Sequence, residues 1–136
     1  MAGIGETTAI LRIWGEDLNP QELTELLRCN PSSSHTKGEQ IGSAAHPRAA
    51  KTGAWRLGIE KRIPGDLEAQ IAELLSMLTT DLEVWRAITS RYEIDLFCGL
   101  FMVESNEGLC FSVETLGALA ARGILLGLDI YDPTIE

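Results

Sequence analysis

The sequence predicts an α+β fold in which helices pack on a five-stranded antiparallel or mixed sheet. Apolar and polar residues alternate from Thr7 to Trp14, as in a half-buried strand. Aliphatic residues recur at helical spacing from Leu67 to Leu78. Dense apolar stretches from Leu96 to Met102 and from Ile124 to Ile130 indicate the middle of a sheet. Taken in order, the elements are predicted to be β-α-β-α-α-β-β-α-β.

The first strand, Thr7 to Trp14, leads into a capped helix. Asn19, Pro20 and Glu22 supply a cap, a first-turn proline and a capping-box acid. Asn30-Pro31 ends this helix. Its predicted buried stripe consists of Leu23, Leu26 and Leu27.

Residues 31–52 show no apolar period, so we expect a long loop that is either functional or disordered. Alternation returns from Ala54 to Glu60, which predicts a second strand with Trp55 in the core. Asp66 then caps the helix that carries the stripe from Leu67 to Leu78. Thr80 and Glu83 form a second capping box, so another helix should run from Asp81 to about Arg91.

The last third of the chain predicts two strands, a helix and a final strand. Ile94 to Val103 is apolar on both faces, and turn residues at 105–108 should return the chain antiparallel along Leu109 to Val113. Ser112 can cap the next helix, and Gly123 suits its left-handed end. The last strand then covers Ile124 to Ile130.

At 136 residues, the chain is expected to form a single domain over residues 1–136. Its start lacks the regions of a signal peptide, and no apolar run approaches the roughly 18 residues that a membrane helix needs. We therefore expect a cytoplasmic protein without a membrane partner. Cys29, Cys98 and Cys110 lack paired spacing and predict reduced thiols, with Cys98 and Cys110 in the core.

The charge distribution is uneven. A net charge of −9 argues against nucleic acid as a partner, because binding phosphates needs a basic face. Residues 28–62 hold seven basic and two acidic side chains, a local charge of +5, which leaves −14 on the remainder. Such polarity can steer an anionic ligand or a charged protein surface. Ordinary solvated surface is the alternative.

Four short motifs occur in a particular order along the chain. They run from Trp14 to Pro20, from His35 to Glu39, from Gly53 to Leu57, and from Gly123-Ile124 to a final stretch ending at Asp132. In this order the chain resembles a bacterial family known as domain of unknown function 4279 over nearly its whole length. The resemblance implies a stand-alone α+β domain and no established activity.

The long loop and its neighbours hold the strongest candidate binding site. Lys37 precedes Gly38, and with nearby arginines it could hold a carboxylate or phosphate against exposed backbone amides. A mobile loop with incidental charge is the alternative. The predicted binding residues are His35, Lys37, Gly38, Arg48, Lys51, Trp55, Arg56 and Asp129.

No metal site, cofactor or catalytic set is predicted. Cys29, His35 and His46 match no zinc spacing, and the predicted helix end at Cys29 disfavours a thiolate there. Two of the aspartates near strand ends could meet as an acid and base pair, or they could simply bind loop amides. These aspartates are Asp95, Asp129 and Asp132.

The leading hypothesis is a non-enzymatic protein-binding module that acts through the loop and the adjoining strand, with an antitoxin or immunity role as one version. One alternative is a small-molecule-binding protein, or an enzyme that uses Asp129 or Asp95 with His35 in a pocket between sheet and loop. Another is a homodimer paired across a strand edge. We therefore expect a protein or a second copy as partner, or else a small anionic ligand.

Overall fold

The computed structural model describes residues 3–133 and has an α+β fold with four helices. The helices are α1 Pro20–Leu27, α2 Leu67–Ser76, α3 Leu82–Thr89 and α4 Val113–Arg122. The strands are β1 Glu6–Gly15, β2 Ser33–His35, β3 Gln40–Gly42, β4 Pro47–Ala49, β5 Gly53–Arg62, β6 Glu93–Phe101 and β7 Leu125–Tyr131. No helix among these is long and apolar enough to cross a membrane.

Five strands form one mixed sheet in the order β2-β5-β1-β6-β7, and β3 pairs with β4 as a separate hairpin. β1 is the central strand and pairs antiparallel with β5 on one side and with β6 on the other. β7 runs parallel to β6 at one edge. The expectation that Ile124 to Ile130 lies in the middle of the sheet is therefore wrong, because the parallel return through α4 places β7 outermost.

All four helices cover the same face of the sheet. On β1 this face presents Ala9, Leu11 and Ile13, and register places Leu57 and Leu96 beside Leu11 on the neighbouring strands. Residues from every helix join this core, with Trp55 and Trp85 the largest fully buried side chains. The opposite face of the sheet carries no helix among the described residues, and it is called the open face below.

Most helix ends follow the predicted chemistry, but the predicted Thr80 cap is wrong because Asp81 caps α3, and α1 ends at a left-handed Arg28 before Asn30-Pro31. Asn19, Asp66 and Ser112 cap their helices through side-chain oxygens that accept backbone N–H groups, and Asp81 caps α3 in the same way. Gly123 takes the left-handed conformation at the end of α4, with φ of 71°. The sequence predicts these helix ends because a cap is formed by a few consecutive residues.

Residues 31–52 contain three short strands rather than a loop without regular structure. β2 pairs with β5 and becomes the fifth strand of the sheet. The predicted strand from Leu109 to Val113 is absent, since 109–112 is irregular and α4 begins at Val113. The β6 edge that it would need is occupied by β7. Cys110 is consequently exposed, contrary to expectation, whereas Cys98 is buried as predicted.

Gln70 is fully buried on α2 beside an irregular part of the β1–β5 ladder. The register shifts between Thr7 and Ala9. The side-chain amide of Gln70 donates to the carbonyl oxygens of Thr7 and Glu60, each at 3.0 Å, and its own oxygen accepts the Thr7 hydroxyl at 2.5 Å. One polar side chain therefore joins α2 to both strands.

Candidate functional site

The candidate site lies on the open face, where a row of charged residues crosses three strands. Arg12 on β1 faces Arg56 on β5 and Asp95 on β6. Side chains directly opposite one another on neighbouring strands share a face of the sheet and lie close together. The row thus places two cations and one carboxylate side by side at the centre of the open face.

Arg12 is held in place by Asp95 and by aromatic rings. Its Nε and Nη2 donate to the two carboxylate oxygens of Asp95 at 2.8 and 2.6 Å. Its guanidinium lies 4.3 Å from the Phe97 ring centre and 5.8 Å from that of Trp14. Hydrogen bonding to Asp95 raises the pKa of Arg12, although partial burial opposes this. Arg12 is therefore a fixed cation whose charge is already partly neutralised.

Arg56 lies on the other side of Arg12 and is differently placed. Within residues 3–133, no carboxylate lies at ion-pair distance from its guanidinium. Both arginines border a cleft of about 280 Å³, which we call the arginine cleft. It is lined by Arg12, Ile13, Trp14, Thr52, Ala54 and Arg56. The cleft therefore offers guanidinium donors beside an indole ring, a combination suited to a planar anion.

A second cleft of about 320 Å³, which we call the tyrosine cleft, adjoins the first and shares Trp14 and Thr52 with it. Arg91, Tyr92 and Glu93 line its other side. Tyr92 is 8% exposed, and its hydroxyl has no hydrogen-bond partner among the described residues. The hydroxyl oxygen is itself buried, so it lies beneath the surface of the cleft, and the Arg91 guanidinium lies 4.9 Å from the Tyr92 ring centre.

Residues 5–133 match a family model described as "Domain of unknown function (DUF4279)". The chain belongs to this family. The resemblance drawn from the sequence motifs is thereby confirmed. No curated protein and no solved structure matches the chain. Membership in DUF4279 names no activity.

One of the predicted binding residues lines the arginine cleft of this DUF4279 protein, and a second lies on the neighbouring strand. Arg56 lines it directly, and His35 on β2 pairs with Ala54, another lining residue. His35 is therefore on the same face as Arg56, diagonally across the β2–β5 pair. Ser33 stands directly opposite Arg56. The start of the predicted loop thus lies next to the strand that carries Ala54 and Arg56.

The remaining loop residues point elsewhere. Lys37 forms an ion pair with Glu16 at 2.9 Å, which raises the pKa of Lys37 and lowers that of Glu16. Gly38 adopts a positive φ of 88°, and its N–H donates to Ala50, closing the base of the β3–β4 hairpin. Arg48 and Lys51 are exposed on or next to that hairpin. These basic side chains do not form one anion site.

The predicted Trp55 is fully buried, and its indole N–H donates to the Thr24 hydroxyl at 3.1 Å. Its role is thus to pack β5 against α1. Asp129 accepts the Tyr131 hydroxyl at 2.6 Å, which raises the pKa of Tyr131. Asp129 pairs with Gly99, four residues and roughly 13 Å along β6 from Asp95. The two aspartates therefore do not meet as an acid and base pair.

His35 and Asp129 are also far apart, because β2 and β7 form opposite edges of the sheet, roughly 19 Å from each other. Asp132 is exposed beyond the end of β7. No group of three metal-ligating side chains occurs within residues 3–133. Burial raises the pKa of Cys29. The direction agrees with the expectation that a thiolate is disfavoured at this helix end, although the cause is burial.

Sequence reasoning missed Arg12, Trp14 and Tyr92 as site residues. The alternation of the first strand already placed Arg12 and Trp14 on its polar face, opposite the core residues. An arginine and a tryptophan on the solvent side of a strand are a usable signal, because large aromatic rings are enriched where surfaces bind partners. Nothing local distinguished Tyr92.

Proposed function

We propose that this protein is a non-enzymatic binding module that holds an acidic side chain of a protein partner in the arginine cleft. The observation that carries the proposal is Arg56, a cation beside a fixed arginine with no acidic partner among the described residues. A carboxylate placed there would gain charge-assisted hydrogen bonds that Arg56 lacks in the free protein.

The charge distribution supports a particular kind of partner. The cleft is cationic, yet the chain as a whole carries −9. Long-range attraction therefore favours a basic protein surface, while the cleft favours one acidic residue at its centre. Trp14 adds apolar area beside the guanidinium groups, as at the centre of many interfaces. An antitoxin or immunity protein that masks a basic toxin surface is one form that fits both features.

Charge reversal tests this proposal. We expect tagged wild-type protein to retain a stoichiometric partner from a lysate of its source organism, and Arg56→Glu to lose it. Arg48→Glu changes the net charge equally on the exposed hairpin and should retain the partner. Reversing the partner's contacting acidic residue to lysine should restore binding to Arg56→Glu. The proposal fails if Arg48→Glu weakens binding as much as Arg56→Glu, or if neither does.

A second candidate function is binding of a small anionic molecule across both clefts. Its support is that Trp14 and Thr52 line both clefts and that arginine side chains line each of them. Together the two clefts have a volume typical of a pocket for a small ligand. Phosphate and aromatic carboxylates would then raise the melting temperature of wild-type protein but not of Arg56→Glu. A carboxylate that stabilises both variants equally would bind elsewhere.

A further inference from the structure

The free edge of β7 carries a second inference, independent of the arginine cleft. β7 pairs with β6 on one side only, and no other strand within residues 3–133 pairs with its outer side. An unpaired edge presents a row of backbone donors and acceptors, which proteins usually protect with charged residues or proline. β7 contains no proline, and Leu128 is at its centre. Its one charged residue, Asp129, accepts a hydrogen bond from the Tyr131 hydroxyl of the same strand.

The direction of the backbone groups on this edge follows from one hydrogen bond. The N–H of Met102 donates to the carbonyl of Tyr131 at 3.1 Å, so the backbone N–H and C=O of Tyr131 point toward β6. Along a strand, every second residue directs its backbone N–H and C=O to the same neighbouring strand, and the residues between direct theirs to the other side. The residues that present N–H and C=O to the free edge are therefore Leu126, Leu128 and Ile130.

The side chains along β7 are unusually apolar for an exposed edge. Leu128 is 43% exposed and Ile130 58%, both on the helix-covered face, while Leu125 is 63% exposed on the open face. Tyr131, 43% exposed, stacks on Phe101 with ring centres 4.6 Å apart. Four large side chains on one short strand thus lie in solvent, which is typical of a surface that is covered by a partner.

We propose that a second copy of this chain covers this edge, the two β7 strands pairing antiparallel about a two-fold axis at Leu128. Leu128 then faces its own counterpart, and Leu126 faces Ile130 of the other copy. All six outward-pointing residues of the two strands fall into hydrogen-bonded pairs, giving six new backbone bonds. The two five-stranded sheets become one sheet of ten strands.

Charge and side-chain pairing favour this register. Asp129 faces Gly127 of the other copy, so the two carboxylates are not directly opposed, as an alignment centred on Asp129 would make them. On the helix-covered face, Leu128 meets its counterpart and Ile130 meets Leu126 of the other copy, and these contacts extend the existing core. The two-fold axis is perpendicular to the sheet, so both arginine clefts face the same side of the dimer.

The oligomeric state in solution tests the pairing. We expect light scattering after size exclusion to give twice the chain mass of 14.8 kDa as concentration rises from micromolar to millimolar. Added salt should strengthen the dimer, because each copy carries −9. Leu128→Lys and Leu128→Pro should both be folded monomers by circular dichroism, since the Leu128 N–H is unused within one copy. Val103→Lys, at a site 67% exposed outside β7, is the control and should remain a dimer.

A wild-type monomer at every concentration would overturn the proposal, and so would a dimer that survives both changes at Leu128. Cross-linking tests the register in a Cys110→Ser background. Opposed residues in a hydrogen-bonded pair have Cα atoms about 5.5 Å apart, which suits a disulfide. Leu128→Cys should form a covalent dimer on mild oxidation. Ile130→Cys should not, because its counterpart lies roughly 13 Å away, and the reverse pattern would refute this register.

Discussion

Replacement of Gln70 by methionine should destabilise the fold more than any surface substitution. Gln70 is fully buried, and its amide is donor to the carbonyls of Thr7 and Glu60. Methionine has a similar length and no donor. A buried carbonyl left without a donor costs about 1–3 kcal/mol, and one that water can reach costs less, so the buried Thr7 carbonyl and the part-buried Glu60 carbonyl together cost about 2–5 kcal/mol. The more apolar methionine side chain offsets about 1 kcal/mol of this cost, and we expect a net loss of about 3 kcal/mol.

Urea unfolding followed by circular dichroism measures this loss. At a slope of about 2 kcal/mol per molar urea, the midpoint should fall by about 1.5 M with the slope unchanged. Gln21→Met is the matched control, because Gln21 is exposed on α1 and its replacement should change the unfolding free energy by less than about 0.5 kcal/mol. A loss below about 1 kcal/mol for Gln70→Met would refute the reasoning, since the two carbonyls would then have found other donors.

Two further predictions concern titration and reactivity. Glu68 accepts the backbone N–H of Ser112 and the Thr115 hydroxyl, which lowers the pKa of Glu68 below its usual 4.5. A lowered folded pKa contributes stability that is present above pH 4.5 and is lost as pH falls through the folded value. Acid unfolding curves should therefore show a steeper loss below pH 4.5 for wild type than for Glu68→Gln, and parallel curves would contradict the linkage. Burial raises the pKa of Cys98 to about 12, whereas Cys110 is exposed. Brief iodoacetamide treatment followed by peptide mass mapping should label Cys110 first and leave Cys98 unmodified until the protein unfolds; early labelling of Cys98 would contradict its burial.

Local patterns were sufficient wherever a few neighbouring residues decide the structure. The alternation of β1 and the caps at Asn19 and Ser112 each depend on a single segment. β2 was missed because Ser33–His35 has no apolar alternation and is held as a strand by pairing with β5. Leu109 and Phe111 alternate like strand residues, but both are half-buried in an irregular segment. Whether a short segment becomes a strand therefore depends on whether a sheet edge is available to pair with it.

The candidate site was partly predictable for the same reason. Arg56 and His35 were named from their charge and position, and the structure brings them to one face of the sheet. The cleft itself needs Arg12 and Trp14 from a strand more than forty residues earlier in the sequence than Arg56. Only the antiparallel register of β1 and β5 makes them neighbours, and a single sequence carries no direct record of register.

The central place of β1 has a consequence for synthesis of the chain. β1 is synthesised before the other strands described here, but one of its two neighbours in the sheet, β6, follows β5, α2 and α3 in the sequence. A nascent chain that has reached only α3 can pair β1 with β5, yet the other edge of β1 stays empty until β6 emerges. Pairing between such distant segments is slow, and an empty central edge can recruit the wrong strand. Emergence of β6 is therefore the step that fills the second edge of β1 and protects the nascent sheet from aggregation.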